Sequence, residues 1–114
     1  MLTERYLYAD RMPKAVDEYE DILSKNVIWL QRTKGLGLLS ADDAIALGQS
    51  GPVLRASGVN WDLRKNMPYL AYDEVSFDVP VFPEGDVYAR YRVHMEEMRE
   101  PVRIVSQCLD RLEE

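Results

Sequence analysis

The sequence predicts a mainly α-helical chain with a small β element, an α+β fold in which a long C-terminal helix packs on shorter helices. In the last quarter of the chain, apolar side chains recur at alternating intervals of three and four residues, which is typical of a helix packed lengthwise on other helices. Apolar and polar residues alternate over Val75–Val79, which is typical of a half-buried strand. The length of 114 residues allows a single domain, so we expect residues 1–114 to form one.

The first element is predicted to be a helix over residues 3–23. Its composition favours a helix, and Val16, Tyr19 and Leu23 follow roughly helical spacing. Pro13 removes one hydrogen-bond donor and clashes with the preceding turn, so we expect a kink or a restart there. After a restart, Asp10 is placed to cap the second part.

The next residues predict two short elements and a capped helix. Val27–Leu30 is interpreted as a helical turn and Gly35–Leu39 as a short strand. Ser40 is a predicted helix cap, with Asp43 placed to reach back to it. This helix is expected to stop at Gly48.

Residues 49–75 predict a long irregular loop. The segment is rich in Gly, Pro, Asn and Tyr and has no clean periodicity. Loops of this length inside a small domain are usually functional or interfacial. The strand at Val75–Val79 follows directly and is expected to end before Pro80.

The most regular element is a predicted helix over Tyr88–Leu112. Asp86 is placed to cap its first turn, and Pro101 is expected to bend it in the middle. The eight apolar side chains spaced three and four residues apart form a seam that we expect to be buried. They are Tyr88, Tyr91, Met95, Met98, Val102, Val105, Leu109 and Leu112.

The composition excludes several classes of protein. Apolar residues make up 46% of the chain and charged residues 30%, which is ordinary for a globular protein and too apolar for a disordered one. Fourteen basic against twenty acidic side chains leave a net charge of −6, which argues against a nucleic-acid binder. The apolar runs are too short to cross a bilayer and the first residues do not resemble a secretory signal, so we expect an intracellular location.

The residue types that carry chemistry do not form a catalytic set. His94 is the only histidine and lies beside the seam, so it is interpreted as a structural or surface residue. Cys108 is the only cysteine, which excludes an internal disulfide, and it is expected to be a buried, inert thiol. Glu96 and Glu97 are expected on the solvated outer face of the last helix. The sequence therefore assigns no catalytic residue, cofactor ligand or metal ligand.

The segment from Ser50 to Lys65 is the exception. Two glycines and a proline define a specific backbone path, while Arg55, Asp62 and Arg64 are charges set among apolar residues. A packed loop uses this mixture, because guanidinium groups satisfy carbonyl or carboxylate oxygens around them. An ordinary solvated loop is the alternative.

Motifs between residues 50 and 104 resemble those of a known family. The 50–65 segment reads Ser-Gly-Pro-Val-Leu-Arg-Ala-Ser-Gly-Val-Asn-Trp-Asp-Leu-Arg-Lys and is highly specific in combination. The motifs that follow it are Pro68-Tyr69, Tyr72-Asp73-Glu74-Val75, Phe77-Asp78-Val79-Pro80, Gly85-Asp86-Val87-Tyr88, Arg90-Tyr91, Glu96-Glu97-Met98-Arg99 and Arg103-Ile104. Together they resemble the D subunit of respiratory complex I, the 49-kDa type, which is related to the large subunit of nickel–iron hydrogenases.

The resemblance covers residues from about 17 to 112, and the family subunit is several-fold longer. We therefore expect the chain to be an internal fragment of a larger subunit. The family's quinone-site histidine and tyrosine belong to an amino-terminal region that is expected to have no counterpart in this sequence, so no residue inherits that role. Pro101 departs from the family pattern, which usually has a small polar residue there.

The resemblance implies a part of an enzyme, the translocase NADH:quinone oxidoreductase. Such a complex oxidises NADH, passes electrons through FMN and iron–sulfur clusters in other subunits to quinone, and moves ions. The chain itself is expected to hold no cofactor, to be inactive alone, and to lie peripherally on the cytoplasmic side of the inner membrane. Its expected partners are the other subunits, including the one that carries the terminal iron–sulfur cluster. Its expected role is scaffold and inter-subunit contact, with Arg55, Asp62, Arg64 and Lys65 at the interface.

Two alternatives stay open. A large-subunit fragment of an energy-converting nickel–iron hydrogenase has similar Arg-Ala-Ser-Gly and Asp-Leu-Arg motifs, and paired cysteine motifs at both ends of the subunit would identify it. A non-catalytic interaction module is the other alternative. For an isolated fragment we expect self-association through apolar surface at Val27–Leu30 and around Ile104 and Cys108.

Overall fold

A computed structural model describes the backbone of residues 2–113 and the side chains of residues 7–112. Within that range the chain forms six α-helices and one 3₁₀ turn, and no strand. The helices are α1 (Leu2–Leu23), α2 (Val27–Thr33), α3 (Ala41–Ala46), α4 (Gly51–Ala56), α5 (Leu63–Asn66) and α6 (Val87–Glu113), and the 3₁₀ turn spans Tyr72–Glu74. The predicted mainly α fold is therefore confirmed in its helices, and the predicted small β element is wrong.

The longest helix, α6, is the element on which the others pack. α1 lies along it, and Val16 of α1 is fully buried. Arg99 of α6 links the two helices by ion pairs with Asp17, at 2.8 Å, and with Glu20. α2 and α4 also pack on α6, so one long helix organises the described part of the chain.

Small side chains allow α4 to approach α6 closely. Ala56 of α4 and Ala89 and Val93 of α6 form a cluster of buried apolar residues, against which Phe82 packs. All three cluster members are almost completely withdrawn from solvent. The contact brings Arg55, the chain neighbour of Ala56, to the surface of α6.

The predicted long C-terminal helix is confirmed, since α6 runs unbroken through Pro101. Asp86 caps it as predicted, because its Oδ1 accepts a hydrogen bond from the Ala89 amide at 2.7 Å. The bend expected at Pro101 stays a prediction.

The predicted burial of the seam is found only in part. Met95, Val102 and Leu109 are buried, whereas Leu112 is 68% exposed and the remaining four side chains are half-buried. Val93, which lies outside the seam, is buried more completely than any seam residue. Because α6 has neighbours on two sides, burial is not confined to one row of side chains.

The predicted strand at Val75–Val79 is wrong, although its alternation of burial is real. Its first and third residues are buried, while Ser76 and Asp78 are exposed. Side chains of α6 take the place of a neighbouring strand: Gln107 accepts from the Ser76 amide at 2.8 Å and donates to the Ser76 carbonyl at 2.7 Å. Glu100 accepts from the Asp78 amide at 2.8 Å. The extended segment thus obtains its hydrogen bonds from a helix surface and not from a sheet.

The predicted strand at Gly35–Leu39 is also wrong. Gly35 and Gly37 have φ angles of 71° and 61°, in the left-handed region that strands do not use. The segment instead lies across the start of α6. The Gly35 amide donates to the Asp86 carboxylate at 2.7 Å, and the Gly37 carbonyl accepts from Arg90 at 2.7 Å.

Local signals predicted two other elements correctly. Ser40 caps α3: its hydroxyl accepts from the Asp43 amide at 3.1 Å and donates to the Asp43 carboxylate at 2.7 Å. The helix ends before Gly48, whose φ is 66°. Val27–Leu30 is helical and lies in α2.

The predicted restart at Pro13 is wrong, and Asp10 caps nothing, because α1 runs unbroken from Leu2 to Leu23. A proline removes the hydrogen bond of only one turn, and packing along α6 supports the rest of the helix. A kink at Pro13 stays a prediction.

The predicted irregular loop over residues 49–75 contains three short elements, α4, α5 and the 3₁₀ turn. None is longer than six residues. An amphipathic period of 3.6 residues needs a window of about 11 or more residues to be visible in a sequence, so these helices produced no periodic signal.

The described chain has the shape of a thin slab measuring 48 × 34 × 16 Å. Its radius of gyration is 16.3 Å, whereas a compact domain of this length has about 13 Å. A thickness of 16 Å between Cα atoms corresponds to about two layers of helices, because packed helix axes lie about 8–10 Å apart and Cα atoms lie about 2.3 Å from their axis. Large apolar side chains remain on its surface. Of the predicted exposed segment Val27–Leu30, Val27 and Ile28 are exposed, at 65% and 64%, whereas Trp29 and Leu30 are half-buried.

Candidate functional site

Local backbone hydrogen bonds set the path of the chain after α4. The amides of Ser57 and Val59 both donate to the Leu54 carbonyl, at 3.1 and 3.3 Å. Gly58, between them, has a φ of 88°, and this left-handed residue turns the chain away from the helix. The chain reverses there, which returns the following residues to the side of α4.

Asp62 begins the single turn of α5. Its Oδ1 accepts from the Arg64 amide at 3.0 Å, and its carbonyl accepts from the amides of Lys65 and Asn66 at 3.0 and 2.8 Å. In return, Oδ1 of Asn66 accepts from the Asp62 amide at 2.9 Å. The two ends of the turn therefore hold each other, which fixes the position of the Asp62 carboxylate.

Arg55 lies at the centre of the site, with only 7% of its side chain exposed. Its Nη1 donates to the Trp61 carbonyl at 2.9 Å and lies 3.7 Å from the Asp62 carboxylate. Its Nη2 donates to the carboxylate of Glu97 on α6. One guanidinium thus joins α4, the returning chain and α6.

Asp62 and Arg64 form a two-point ion pair beside it. Arg64 donates from Nε to Oδ1 at 3.0 Å and from Nη2 to Oδ2 at 2.6 Å. These hydrogen bonds lower the pKa of Asp62 below its usual value, although burial works in the opposite direction. The same contact raises the pKa of Arg64. Asp62 is consequently an ionised acceptor at neutral pH.

Aromatic rings connect the site to the extended segment at 75–79. The Arg64 guanidinium lies 4.8 Å from the centre of the Phe77 ring, and the Lys65 ammonium lies 4.4 Å from it. Arg64 also lies 6.0 Å from the Tyr72 ring. Cations over ring faces are attracted by the ring quadrupole, so these contacts hold the turn of α5 against its neighbours.

The structure brings together the four residues that the sequence selected. Arg55 and Asp62 are buried, Arg64 is half-buried, and Lys65 is exposed. Their role at an interface stays a prediction, and of the four only Arg64 and Lys65 present surface to solvent.

Sequence reasoning missed Glu97, which was expected on a solvated face. Its side chain is only 18% exposed, because it pairs with Arg55. A signal was present: Ala89, Val93 and Glu97 lie four residues apart on α6 and form one row along the helix. Two small or β-branched apolar residues in that row marked it as a buried face.

Two other expectations concern single residues of α6. His94 is exposed, which agrees with its interpretation as a surface residue. The predicted burial of Cys108 is wrong, since this residue is exposed. It lies on the side of α6 where the described chain provides no covering helix.

The chemistry of the site suits the holding of a backbone conformation. Two cations and two anions are paired with each other and with a main-chain carbonyl, and none is a free acid or base. In the described residues, no group of three or more histidine, cysteine or carboxylate side chains is placed to hold a metal ion. An open cleft of about 480 Å³ lies next to the charged side chains of Arg55, Asp62 and Arg64. Its rim includes the exposed apolar residues Trp61 and Leu63.

Comparison with known proteins gives the family. The sequence profile of the respiratory-chain NADH dehydrogenase 49 kDa subunit matches residues 1–114, the whole chain. The chain belongs to the 49-kDa subunit family. The predicted resemblance is therefore confirmed, and the chain is a fragment of this type of subunit.

Curated relatives of the chain include D subunits of NADH-quinone oxidoreductases from several bacteria. The relative from Herpetosiphon aurantiacus is 58% identical over 103 residues, which are 90% of this chain and 24% of the relative. The relatives from Acidovorax sp. and Coxiella burnetii are 56% and 55% identical over the same length. The chain thus spans about a quarter of the length of these relatives.

A solved structure shares the fold. A chain of the membrane-bound sulfane sulfur reductase, described as an archaeal respiratory membrane complex, superposes with a TM-score of 0.89 and is 35% identical. The match covers 96% of this chain and 29% of that chain. In residues 2–113 of the 49-kDa family fragment, no helix is long and apolar enough to span a membrane.

Proposed function

We propose that the chain is a segment of the D subunit of an NADH:quinone oxidoreductase, and that it serves there as scaffold and as a contact for neighbouring subunits. The identity of 55–58% to curated NADH-quinone oxidoreductase subunits over 90% of the chain carries the first part. The reaction of the complex would then be quinone reduction by NADH. In this proposal FMN and the iron–sulfur clusters are held by other subunits, and the segment lies peripherally on the cytoplasmic side of the membrane.

The cluster of Arg55, Asp62, Arg64 and Glu97 supports the scaffold role. Ordering a loop residue loses about 1–2 kcal/mol of backbone entropy, so the turn between α4 and α5 needs compensating contacts. Exposed ion pairs contribute little, whereas a buried charge strongly favours the one conformation in which its partners satisfy it, as Glu97 satisfies Arg55. In this proposal the buried pair fixes the conformation of the segment.

The exposed edge of the same segment supports the contact role. Lys65 and part of Arg64 are accessible, and Trp61 and Leu63 expose 42% and 51% of their surface. A basic and apolar edge held rigid by a buried ion pair is suited to bind another protein surface, because little further ordering is needed on binding. In this proposal the partners are other subunits of the complex, among them the subunit that carries the terminal iron–sulfur cluster.

The contact role is tested in the full-length subunit within its complex. The double variant Leu63→Asp with Lys65→Glu is expected to lower the yield of intact complex on native gels and the NADH:quinone reductase activity of membranes. Lys14→Glu is the matched control, since Lys14 is exposed on α1 and distant from the segment in sequence. A double variant that assembles and turns over like the control would contradict the contact role without affecting the family assignment.

The solved structure supplies a second candidate function, because it is that of a sulfane sulfur reductase. The fold does not separate the two candidates, because a TM-score of 0.89 shows the same architecture. Sequence identity favours the quinone reductase, at 58% against 35%. Membranes that contain the full-length subunit should reduce a soluble quinone with NADH, and reduction of sulfane sulfur without quinone reduction would overturn the proposal.

A further inference from the structure

Two prolines lie inside the two longest helices. Pro13 belongs to α1 and Pro101 to α6. A proline lacks the N–H that would bond to the carbonyl four residues before it, so each helix is one backbone hydrogen bond short in its interior. Long helices bend most readily at such positions.

The contacts between the helices show that the two prolines lie at a similar level. Ser24, near the end of α1, shares a hydrogen bond of 3.2 Å with Tyr91, near the start of α6, so the helices run antiparallel. Arg99 forms ion pairs with Asp17 and Glu20 further along. Equal steps along both helices from these three contacts place the proline of α1 opposite positions 102, 103 and 106 of α6. The proline of α6 is therefore within about 2–8 Å of that level along the axis.

The outer part of α1, before Pro13, is held less firmly than the rest of the helix. Among its described side chains, residues 7–12, none is buried, whereas Val16 is fully buried. The ion pairs and the hydrogen bond that join described side chains of α1 to α6 all lie on the other side of Pro13. Few buried contacts are typical of a segment that opens locally while the rest of the fold stays closed.

The outer part of α6, beyond its proline, is joined to the segment at 74–76. Gln107 exchanges two hydrogen bonds with the backbone of Ser76, and Arg111 pairs with Glu74 at 2.9 Å. The backbone that follows Ser76 is extended and has no helical hydrogen bonds to break. This segment can therefore follow the outer end of α6 when that end moves.

The carbonyl that Pro101 leaves without its helical partner belongs to Glu97, whose side chain pairs with Arg55. Both members of this buried pair lie on the inner side of the proline level. We propose that Pro13 and Pro101 form one hinge, about which residues 2–12 of α1 and 102–113 of α6 move together relative to the body that carries the pair. The inference rests on contacts within the chain and not on the activity or the contact role proposed above.

The hinge is tested by hydrogen–deuterium exchange, measured by mass spectrometry on the purified complex that contains the full-length subunit. In the parent complex, amides of residues 7–12 and 102–112 should exchange faster than those of residues 14–20 and 88–98 in the same two helices, because the outer ends open more often. Exchange at the same rate on both sides of the prolines would overturn the inference.

Proline-to-alanine variants test whether the two ends move as one unit. Pro101→Ala restores the missing donor in α6 and should slow exchange about two- to tenfold in residues 102–112 and also in residues 7–12 of α1. Pro13→Ala should produce the reciprocal slowing on α6. Pro52→Ala is the matched control, because this proline lies in the first turn of α4, where an N–H has no partner within the helix.

The reciprocal effect separates a shared hinge from two independent bends. Slowing confined to the helix that carries the substitution would overturn the proposal, as would unchanged exchange in both helices. Equal slowing by Pro52→Ala would also contradict it, since that variant restores no helical hydrogen bond. None of these results depends on whether the complex reduces quinone.

Discussion

Arg55 on α4 and Glu97 on α6 form an ion pair across 42 positions of sequence, with 7% and 18% of their side chains exposed. The pair ties the turn that follows α4 to the helix that organises the fold. Asp62 and the Trp61 carbonyl complete the surroundings of the guanidinium. Leaving a buried charge without its partner is costly, so substitution of either member of the pair is expected to destabilise the segment that follows α4.

Arg55→Met is expected to lower the free energy of unfolding by about 3–5 kcal/mol, because it leaves the Glu97 carboxylate buried without its partner. The double variant Arg55→Met with Glu97→Leu should recover part of this loss, since no charge is then left unpaired. Urea unfolding of the purified chain measures both values.

The control for this cycle is Arg32→Ala, which removes an exposed arginine of α2 and should change stability by less than about 0.5 kcal/mol. If Arg55→Met behaved like the control, the pair would be an exposed one in solution. A double variant less stable than Arg55→Met alone would also argue against the pairing.

Asp62→Asn is expected to destabilise the chain most at neutral pH. The pKa of Asp62 is lower in the folded state than in the unfolded chain, so the ionised group stabilises the fold above the unfolded pKa of about 3.9. This contribution is lost as the pH falls through the lower, folded pKa. The difference in unfolding free energy between the parent and Asp62→Asn, of about 1.5–3 kcal/mol, should be constant from about pH 5 to 8 and shrink below about pH 4.

Urea unfolding at a series of pH values measures this difference. Asp110→Asn, at an exposed position of α6, should show only a small difference throughout the range. A difference that grew on acidification would have the wrong sign and would contradict the ion pair of Asp62 with Arg64.

Two glycines with the same backbone conformation are expected to respond differently to alanine. Gly85 and Gly35 have φ angles of 68° and 71°, but a Cβ at Gly85 would overlap the Leu39 carbonyl oxygen, whereas one at Gly35 would meet nothing within 4 Å. Gly35→Ala should therefore cost only the left-handed penalty of about 1–2 kcal/mol. Gly85→Ala should cost about 3 kcal/mol or more, because the backbone must also move. Equal melting temperatures for the two variants would show that the chain passes Gly85 less closely.

The isolated 114-residue chain is expected to self-associate through exposed apolar surface. Val27 and Ile28 at the start of α2 expose 65% and 64% of their surface. Val27→Lys with Ile28→Glu should shift the chain towards the monomer in sedimentation equilibrium at tens of micromolar, without changing its net charge. Glu18→Lys, at an exposed polar position, is the control and should leave association unchanged. A parent chain that is a clean monomer would remove the basis of this prediction.

The candidate site was partly visible in the sequence. Arg55, Asp62 and Arg64 are charged residues within ten positions of one another in an apolar segment. This spacing predicted that they would form hydrogen bonds or ion pairs. Glu97 was not visible, because a carboxylate on a long helix is normally solvated and its partner is 42 positions away. The short helices on either side of the turn were also missed, since one or two turns show no period.

The sequence by itself determined the features that depend on near neighbours or on a long repeated spacing. These are the helix α6, the helix caps Asp86 and Ser40, and the motifs that indicate the family. Only the tertiary structure decided what the extended segment at 75–79 pairs with, since alternation reports which side chains are buried and not which groups satisfy the backbone. It likewise decided that Cys108 is exposed and Glu97 is not. The physical reason is the same in each case. Residues distant in sequence set the burial and the hydrogen-bond partners, and the sequence of one helix does not show what packs on each of its faces.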